Sequence, residues 1–171
     1  ELPPSQGPLV VSDSHPNQEQ WYRNNNVALR WDDGLPAAQG YSYMVSDNAT
    51  DVPDDTSESA QTTIEYKAVP DGIRYFHIKA YRDGKWGGVT RYTLRVDTLA
   101  PADFKVKVSP SERTFGTEPV FQFGSSDSLS GFDRFEIKIV SLKVDGREGS
   151  MDGTGQLFTE AQSPYQTAEL L

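Results

Sequence analysis

The sequence predicts an all-β protein built from two consecutive antiparallel β-sandwiches. Three observations lead to this class. Apolar and polar residues alternate in short runs, turn signals rich in Asp, Gly and Pro separate these runs, and no long window shows the i, i+3, i+4 apolar spacing of an amphipathic helix. Since alternate side chains of a strand point to opposite faces, the same pattern also predicts which residues are buried.

The strands predicted before residue 98 begin with "PLVVSDSHP", residues 8–16, as an opening edge strand. Five alternating runs follow it, each with one face toward a core. Their inward faces are expected to be Val27, Leu29 and Trp31; Tyr41, Tyr43 and Val45; Ile64, Tyr66 and Ala68; Phe76, Ile78 and Ala80; and Tyr92, Leu94 and Val96.

A hairpin is predicted at "RDGKWGG", residues 82–88, between the last two of these strands. Asp-Gly is favoured in two-residue hairpin turns because both central residues take positive φ. We expect Gly84 or Gly87 to supply that conformation.

A second unit is predicted from residue 99, which gives two domains, 1–98 and 99–171. The junction is "VDTLAPADF", where Pro101 interrupts any strand ladder. New alternation follows the junction. Its inward faces are expected to be Phe104, Val106 and Val108, and then Phe135, Ile137 and Ile139.

The composition argues against several classes of function. Sixteen basic and 25 acidic residues give a net charge of -9, which disfavours nucleic-acid binding because phosphate contacts need a basic face. The lack of cysteine excludes disulfides, thiolate metal sites and cysteine nucleophiles. No run approaches the roughly 20 apolar residues of a membrane helix, so direct membrane insertion is not expected.

The two histidines do not predict an active site. His15 and His77 lie far apart in the sequence, and no G-x-S-x-G elbow accompanies them. His77 alternates with Phe76 and Ile78, so its side chain is expected to face solvent or a neighbouring strand. His15 precedes Pro16, where a structural hydrogen bond is the favoured role. We therefore predict no catalytic residue, no cofactor site and no enzyme activity.

Carboxylates are concentrated between residues 47 and 58. A solvated acidic loop is favoured there over a calcium site, because the glycine-anchored order of an EF-hand loop is absent. A weaker calcium candidate is the junction, where Asp97 and Asp103 could share a cation with Asp127 or Asp133. No metal site is firmly predicted.

Three aromatic residues are candidates for ligand binding. Trp21, Tyr22 and Trp86 could form a platform that stacks on sugar rings, since aromatic faces suit amphipathic contacts. The favoured alternative is that Trp21 and Tyr22 close one end of the sandwich while Trp86 caps the hairpin turn.

Several stretches resemble a known family of modules. "VALRWDDGLPAAQGYSY" looks like the B–C segment of a fibronectin type III-like domain, and "GIRYFHIKAYRDGKWGG" is similar to its F strand and F–G turn. Residues 12–98 as a whole resemble an Ig-like/fibronectin III-like module of large bacterial surface and exported proteins. Residues 99–171 are similar to the next such module, with "FGSSDSLSGFDRFEIKI" as its B–C segment and "SPYQTAELL" as its strand E.

Two departures from the family pattern are visible. The tyrosine-corner position, two residues before Phe76, holds Arg74. The second module stops at Leu171, before strands F and G. A fragment boundary is the favoured explanation, and completion by strands from another chain is the alternative.

The resemblance implies a non-catalytic extracellular or cell-surface module, serving as spacer, adhesion or surface-assembly segment of a larger bacterial protein. Its expected partners are neighbouring domains or other protein subunits. One alternative is a carbohydrate-binding accessory module of a secreted hydrolase, with glycans as partners. Another is a filament or surface-layer subunit completed by strands from a neighbouring chain.

Overall fold

The computed structural model describes residues 6–32, 37–110, 119–138 and 157–166, and all regular elements in these ranges are β-strands. The all-β class predicted from the sequence is therefore confirmed. The strands are β1 (Val10–Ser12), β2 (Val27–Trp31), β3 (Gly40–Ser46), β4 (Thr63–Tyr66), β5 (Gly72–Arg82), β6 (Lys85–Trp86), β7 (Thr90–Val96), β8 (Lys107–Ser109), β9 (Val120–Gln122), β10 (Phe135–Ile137), β11 (Thr159–Ala161) and β12 (Tyr165–Gln166). None of the described residues forms a helix that is long and apolar enough to cross a bilayer.

The chain divides into two compact units, Glu1–Leu99 and Ala100–Leu171. In unit 1 one sheet has the order β1-β2-β4, and the other contains β3, β5 and β7, with β5 in the middle and β6 also paired to β5. All of these strand pairs are antiparallel.

The core of unit 1 is formed by the inward faces that the alternation predicts. Leu29 and Trp31 of β2 are buried together with Phe76 and Ile78 of β5, and the rings of Trp31 and Phe76 are 5.9 Å apart. Ala68 is the exception. It is exposed, lies after the end of β4 and has a φ of 55°, because the chain turns there rather than continuing the strand.

The hairpin between β5 and β6 has a two-residue turn. Arg82 pairs with Lys85, and the two residues between them have positive φ, 49° at Asp83 and 76° at Gly84. This is the type I′ geometry that matches the twist of the flanking strands. Gly84 supplies the predicted conformation, whereas Gly87 instead donates a backbone hydrogen bond of 2.8 Å to Ala80.

Both edges of the second sheet of unit 1 are covered by neighbouring loops. On the β3 edge, Tyr41 N donates to Ser59 O at 2.8 Å, and Glu58 N donates to Tyr41 O at 2.9 Å. On the β7 edge, Tyr22 N donates to Arg95 O at 2.9 Å. Such cover protects strand edges from pairing with other chains.

Unit 2 contains a three-stranded sheet, β8-β9-β12, and a pair, β10-β11, all antiparallel. Phe135 and Ile137 lie on one face of β10, as predicted, while Ile139 lies outside the described residues. Phe104 precedes β8, so the first strand of this unit begins later than the alternation predicts. Phe104 and Val106 are 47% and 52% exposed, far more than the core residues of unit 1.

Candidate functional site

His15 is held after the end of β1 by a chain of short polar contacts. The residue is 1% exposed, and its Nε2 lies 2.9 Å from the carbonyl oxygen of Asn24. Its Nδ1 lies 2.8 Å from the hydroxyl of Ser14, which accepts a 2.9 Å hydrogen bond from the amide of Ala28. Because a carbonyl oxygen only accepts, Nε2 carries the proton and Nδ1 accepts from the hydroxyl of Ser14.

The hydrogen-bond partners of the Ser14–His15 pair are those of a structural contact rather than of a catalytic nucleophile and base. In an activated pair the imidazole takes the serine proton while a third group orients the ring and stabilises the imidazolium. Here the third group is the neutral carbonyl of Asn24, and the serine oxygen already accepts from a backbone amide of β2. The contacts therefore tie the chain after β1 to its neighbour β2.

Two tyrosines complete the surroundings of His15. The ring of Tyr22 lies 4.6 Å from the imidazole, and the hydroxyl of Tyr92 donates a 2.7 Å hydrogen bond to the carbonyl oxygen of His15. Burial lowers the pKa of His15 below its usual 6.5, although the hydrogen bond to Asn24 opposes that shift. Burial also raises the pKa of Tyr92, and Tyr22 adds to that rise.

His77 is buried at 1% exposure, which corrects the expectation that it could face solvent. It points away from the core, yet the loop after β3 covers it. Its Nε2 lies 3.1 Å from Asn48 O and 3.3 Å from Ser46 Oγ. The neighbouring Arg91 donates to Ala49 O of the same loop at 3.2 Å. Alternation along β5 identifies the outward face but not the loop that folds over it.

The acidic segment between residues 47 and 58 has exposed carboxylates, as expected for a solvated loop, and several of them also bond to the sheet. Asp55 forms an ion pair with Lys79, whose side chain is only 7% exposed. Asp54 accepts a 3.4 Å hydrogen bond from Ser42, and the carboxylate of Glu58 accepts one of 2.8 Å from the amide of Tyr43. These carboxylates hold the loop on the sheet and on the β3 edge.

Trp86 belongs to a small surface cluster at the hairpin end of β5. Its ring is 5.1 Å from that of Tyr81, and the ammonium of Lys79 lies 5.0 Å from its centroid. The partner of that ammonium, Asp55, has a side chain that is 77% exposed. The cluster therefore combines two partly buried rings with a cation and an accessible carboxylate. The sequence analysis identified Trp86 but not Tyr81, which pairs with Trp86 across the β5–β6 hairpin, or Asp55, which the loop after β3 brings to Lys79.

Trp21 and Tyr22 lie at the opposite end of the same sheet. Trp21 stacks with the guanidinium of Arg95 at 5.8 Å, and Arg95 pairs with Ile73 near the start of β5. Trp86 pairs with Tyr81, close to the end of that strand. At about 3.3 Å per residue, the two ends are about 26 Å apart, so the three candidate aromatics do not form one platform.

Of the four aspartates proposed as weak calcium ligands, three have other contacts and one is exposed to solvent. Asp97 is buried and accepts a 3.2 Å hydrogen bond from the amide of Leu99. Asp127 accepts from the amide of Leu129 at 2.9 Å, Asp133 pairs with Arg134, and Asp103 is exposed. Among the described parts of the chain, no three His, Asp or Glu side chains are grouped as metal ligands.

Arg74 makes a corner contact that the sequence did not predict. Its Nη2 donates a 2.8 Å hydrogen bond to Asp71 O, and its Nε donates one of 3.3 Å to Pro70 O. These bonds run from the start of β5 back to the chain that enters it. A long side chain with several donors can thus fix this corner in place of a phenol.

Comparison of the chain with models of known protein families, with curated proteins and with solved structures found no match.

Proposed function

We propose that the chain is a non-catalytic tandem segment of Ig-like/fibronectin III-like modules from an extracellular bacterial protein, where it serves as a structural spacer and interaction surface. The strand order of unit 1 carries this proposal. In module nomenclature, β1, β2 and β4 stand as strands A, B and E of one sheet. The strands β3, β5 and β7 stand as C, F and G of the other.

The polar groups of unit 1 agree with a structural role. Both buried histidines bond to backbone carbonyl oxygens, and Arg74 bonds to the corner before β5, where such modules hold a tyrosine. Each of these side chains therefore stabilises a chain turn or a loop. A fold alone does not assign a ligand, so the proposal concerns the mechanical and assembly role of the modules.

Single-molecule stretching of residues 1–171 between two handles tests the spacer role. A sandwich held by β1 near one end and β7 near the other should resist force and then open in one step. The released length should be about 3.5 Å for each residue between Val10 and Val96. Gradual extension without such a step would overturn the proposal.

Carbohydrate binding is a second candidate, favoured by the cluster around Trp86. Its two rings could stack on a sugar face, and the accessible carboxylate of Asp55 could accept from sugar hydroxyls. Glycan-array binding that is lost in Trp86→Ala and kept in Trp21→Ala would support this function. A chain that binds no glycan, or loses binding equally in both variants, would rule the Trp86 cluster out as the site.

A further inference from the structure

The basic residues of unit 1 are concentrated in one part of its second sheet. The chain has a net charge of -9, yet the strands β5, β6 and β7 contain no acidic residue. They carry six of the nine basic residues of unit 1, namely Arg74, Lys79, Arg82, Lys85, Arg91 and Arg95. A local excess of positive charge on an acidic protein directs an anionic partner to that place rather than to the surface in general.

Arg91 and Arg95 lie on the outward face of β7, because the residues that alternate with them are buried in the core. Each guanidinium stands over an aromatic ring. That of Arg91 lies 5.6 Å from the centroid of Tyr75, and that of Arg95 lies 5.8 Å from the centroid of Trp21. Arg91 is exposed, and the other three side chains are partly exposed. These four residues are called the Arg91–Arg95 face below.

Neither arginine of this face forms an ion pair with a carboxylate of the described residues. Arg91 donates from Nη1 to Ala49 O at 3.2 Å, and Arg95 donates from Nε to Gln18 O at 3.1 Å. A neutral carbonyl leaves the positive charge in place. Because a guanidinium has five N–H donors, most of the donors of each arginine remain for a ligand.

The backbone edge of β7 beside these arginines is already filled between Thr93 and Asp97. Tyr22 N donates to Arg95 O at 2.9 Å, and Asp97 N donates to Tyr22 O at 3.0 Å. Thr93 N donates to the side-chain oxygen of Gln18 at 2.8 Å. A partner therefore cannot join this part of β7 as a further strand, and it is recognised through side chains alone.

We propose that the Arg91–Arg95 face binds an acidic polysaccharide, whose carboxylates accept hydrogen bonds from the two guanidinium groups and whose sugar rings contact Tyr75 and Trp21. Guanidinium pairs with carboxylate through two parallel N–H···O bonds, and aromatic side chains suit the amphipathic faces of sugars. The two arginines are four residues apart on one strand, which is about 13 Å, a span of a few linked sugars. The proposal rests on the interaction role proposed above and names the partner's chemistry. Its site is separate from the Trp86 cluster.

Oligogalacturonate, in which every sugar carries a carboxylate, is the probe. Its fully methyl-esterified form is the matched control, because it has the same sugars without the charge. Titration calorimetry with the intact chain at low ionic strength should show binding of the acid form. The esterified form should bind at least about tenfold more weakly, since it lacks charged acceptors. Added salt should weaken binding of the acid form, because the contacts are solvent-exposed.

Variants of the intact chain locate the site. Arg91→Gln and Arg95→Gln should each weaken binding of the acid form about tenfold, because each removes one charged contact. Arg30→Gln changes the net charge by the same amount at an exposed arginine of the other sheet, and it should leave binding unchanged. Arg95→Lys keeps the charge but not the planar fork, so it should retain only part of the affinity. Two variants of the face are used so that loss of folding in one does not decide the outcome.

Four results would overturn the proposal: no binding of the acid form, equal binding of the esterified form, unchanged binding in both glutamine variants of the face, or equal weakening by Arg30→Gln. Binding that is lost in Trp86→Ala and kept in the glutamine variants would assign the sugar to the Trp86 cluster instead. Polyglutamate that binds as tightly as oligogalacturonate would also overturn the proposal, because the partner would then be an acidic peptide. The stretching experiment needs no ligand, so a failed titration leaves the spacer role standing.

Discussion

The hydroxyl of Tyr92 donates a 2.7 Å hydrogen bond to the carbonyl oxygen of His15, a residue that lies 77 positions earlier in the chain. The bond joins the last strand of unit 1 to the turn that follows its first strand. His15 in turn bonds through its ring to Asn24 and Ser14. One buried hydrogen-bond network therefore connects the two sheets of unit 1.

Removal of this phenol should destabilise unit 1. Tyr92→Phe keeps the ring but leaves the buried carbonyl oxygen of His15 without its donor, which costs about 1–3 kcal/mol. Urea unfolding measures the change. The control is Tyr75→Phe, because the hydroxyl of Tyr75 makes no hydrogen bond to the described residues, and it should change stability by less than about 0.5 kcal/mol. Equal effects in the two variants would contradict the role of the Tyr92 hydroxyl.

His15 should make unit 1 less stable in mild acid. Burial lowers its pKa in the folded chain below the usual 6.5, so the unfolded chain binds the proton more readily. The contribution of His15 to the free energy of unfolding is fully present above pH 6.5. It falls as the pH decreases below that value, with a slope of at most about 1.4 kcal/mol per pH unit. Urea unfolding at pH 7.5, 6.5 and 5.5 should show this loss.

Two matched variants separate the contributions of His15 and His77 to the pH dependence of stability. His15→Gln should be less stable than the parent chain at pH 7.5 but should lose less stability between pH 7.5 and 5.5. His77→Gln should retain the acid-dependent loss, because His15 remains. A His15→Gln chain with the full pH dependence would assign the loss to other groups.

The hairpin turn should depend on Gly84. Its φ of 76° is one that a side chain disfavours, so Gly84→Ala should cost about 1 kcal/mol. Gly124→Ala is the control, because an added Cβ at Gly124 would meet nothing within 4 Å. Thermal unfolding measures the change in stability in both variants. A neutral Gly84→Ala would argue against the type I′ turn.

Arg74 should contribute more to stability than an exposed arginine. Arg74→Leu removes two hydrogen bonds from a charged donor to the corner before β5, and a loss of about 1.5–3 kcal/mol is expected. Arg30→Leu removes an ion pair with Asp13 in which both side chains are more than half exposed, and should cost less than about 1 kcal/mol. Urea unfolding compares the two, and the reverse order would contradict the corner assignment.

The strands and inward faces of unit 1 could be predicted because they depend on local alternation. Trp31, Phe76 and Leu94 are buried as predicted, and the Asp83-Gly84 turn has the predicted backbone. These features need only the period of a strand and the φ preference of glycine.

The polar networks could not be predicted because they depend on contacts between distant parts of the chain. Periodicity placed His77 on the outward face, but its burial comes from the loop at Asn48. The pairing of Lys79 with Asp55 has the same origin. The favoured sequence interpretation did separate Trp21, at one end of the sandwich, from Trp86, at the hairpin turn, but their placement at opposite ends of one sheet follows from strand pairing.

Cross-strand proton contacts in unit 1, measured by NMR on the intact chain, test the central claim most directly, namely that β1-β2-β4 and β3-β5-β7 form the two sheets of a module. Contacts are expected between Leu29 and Ile64 in one sheet and, in the other, between Ile78 and Tyr43 and between Phe76 and Tyr92. Contacts between other strand partners, or helical contacts in residues 72–82, would contradict it.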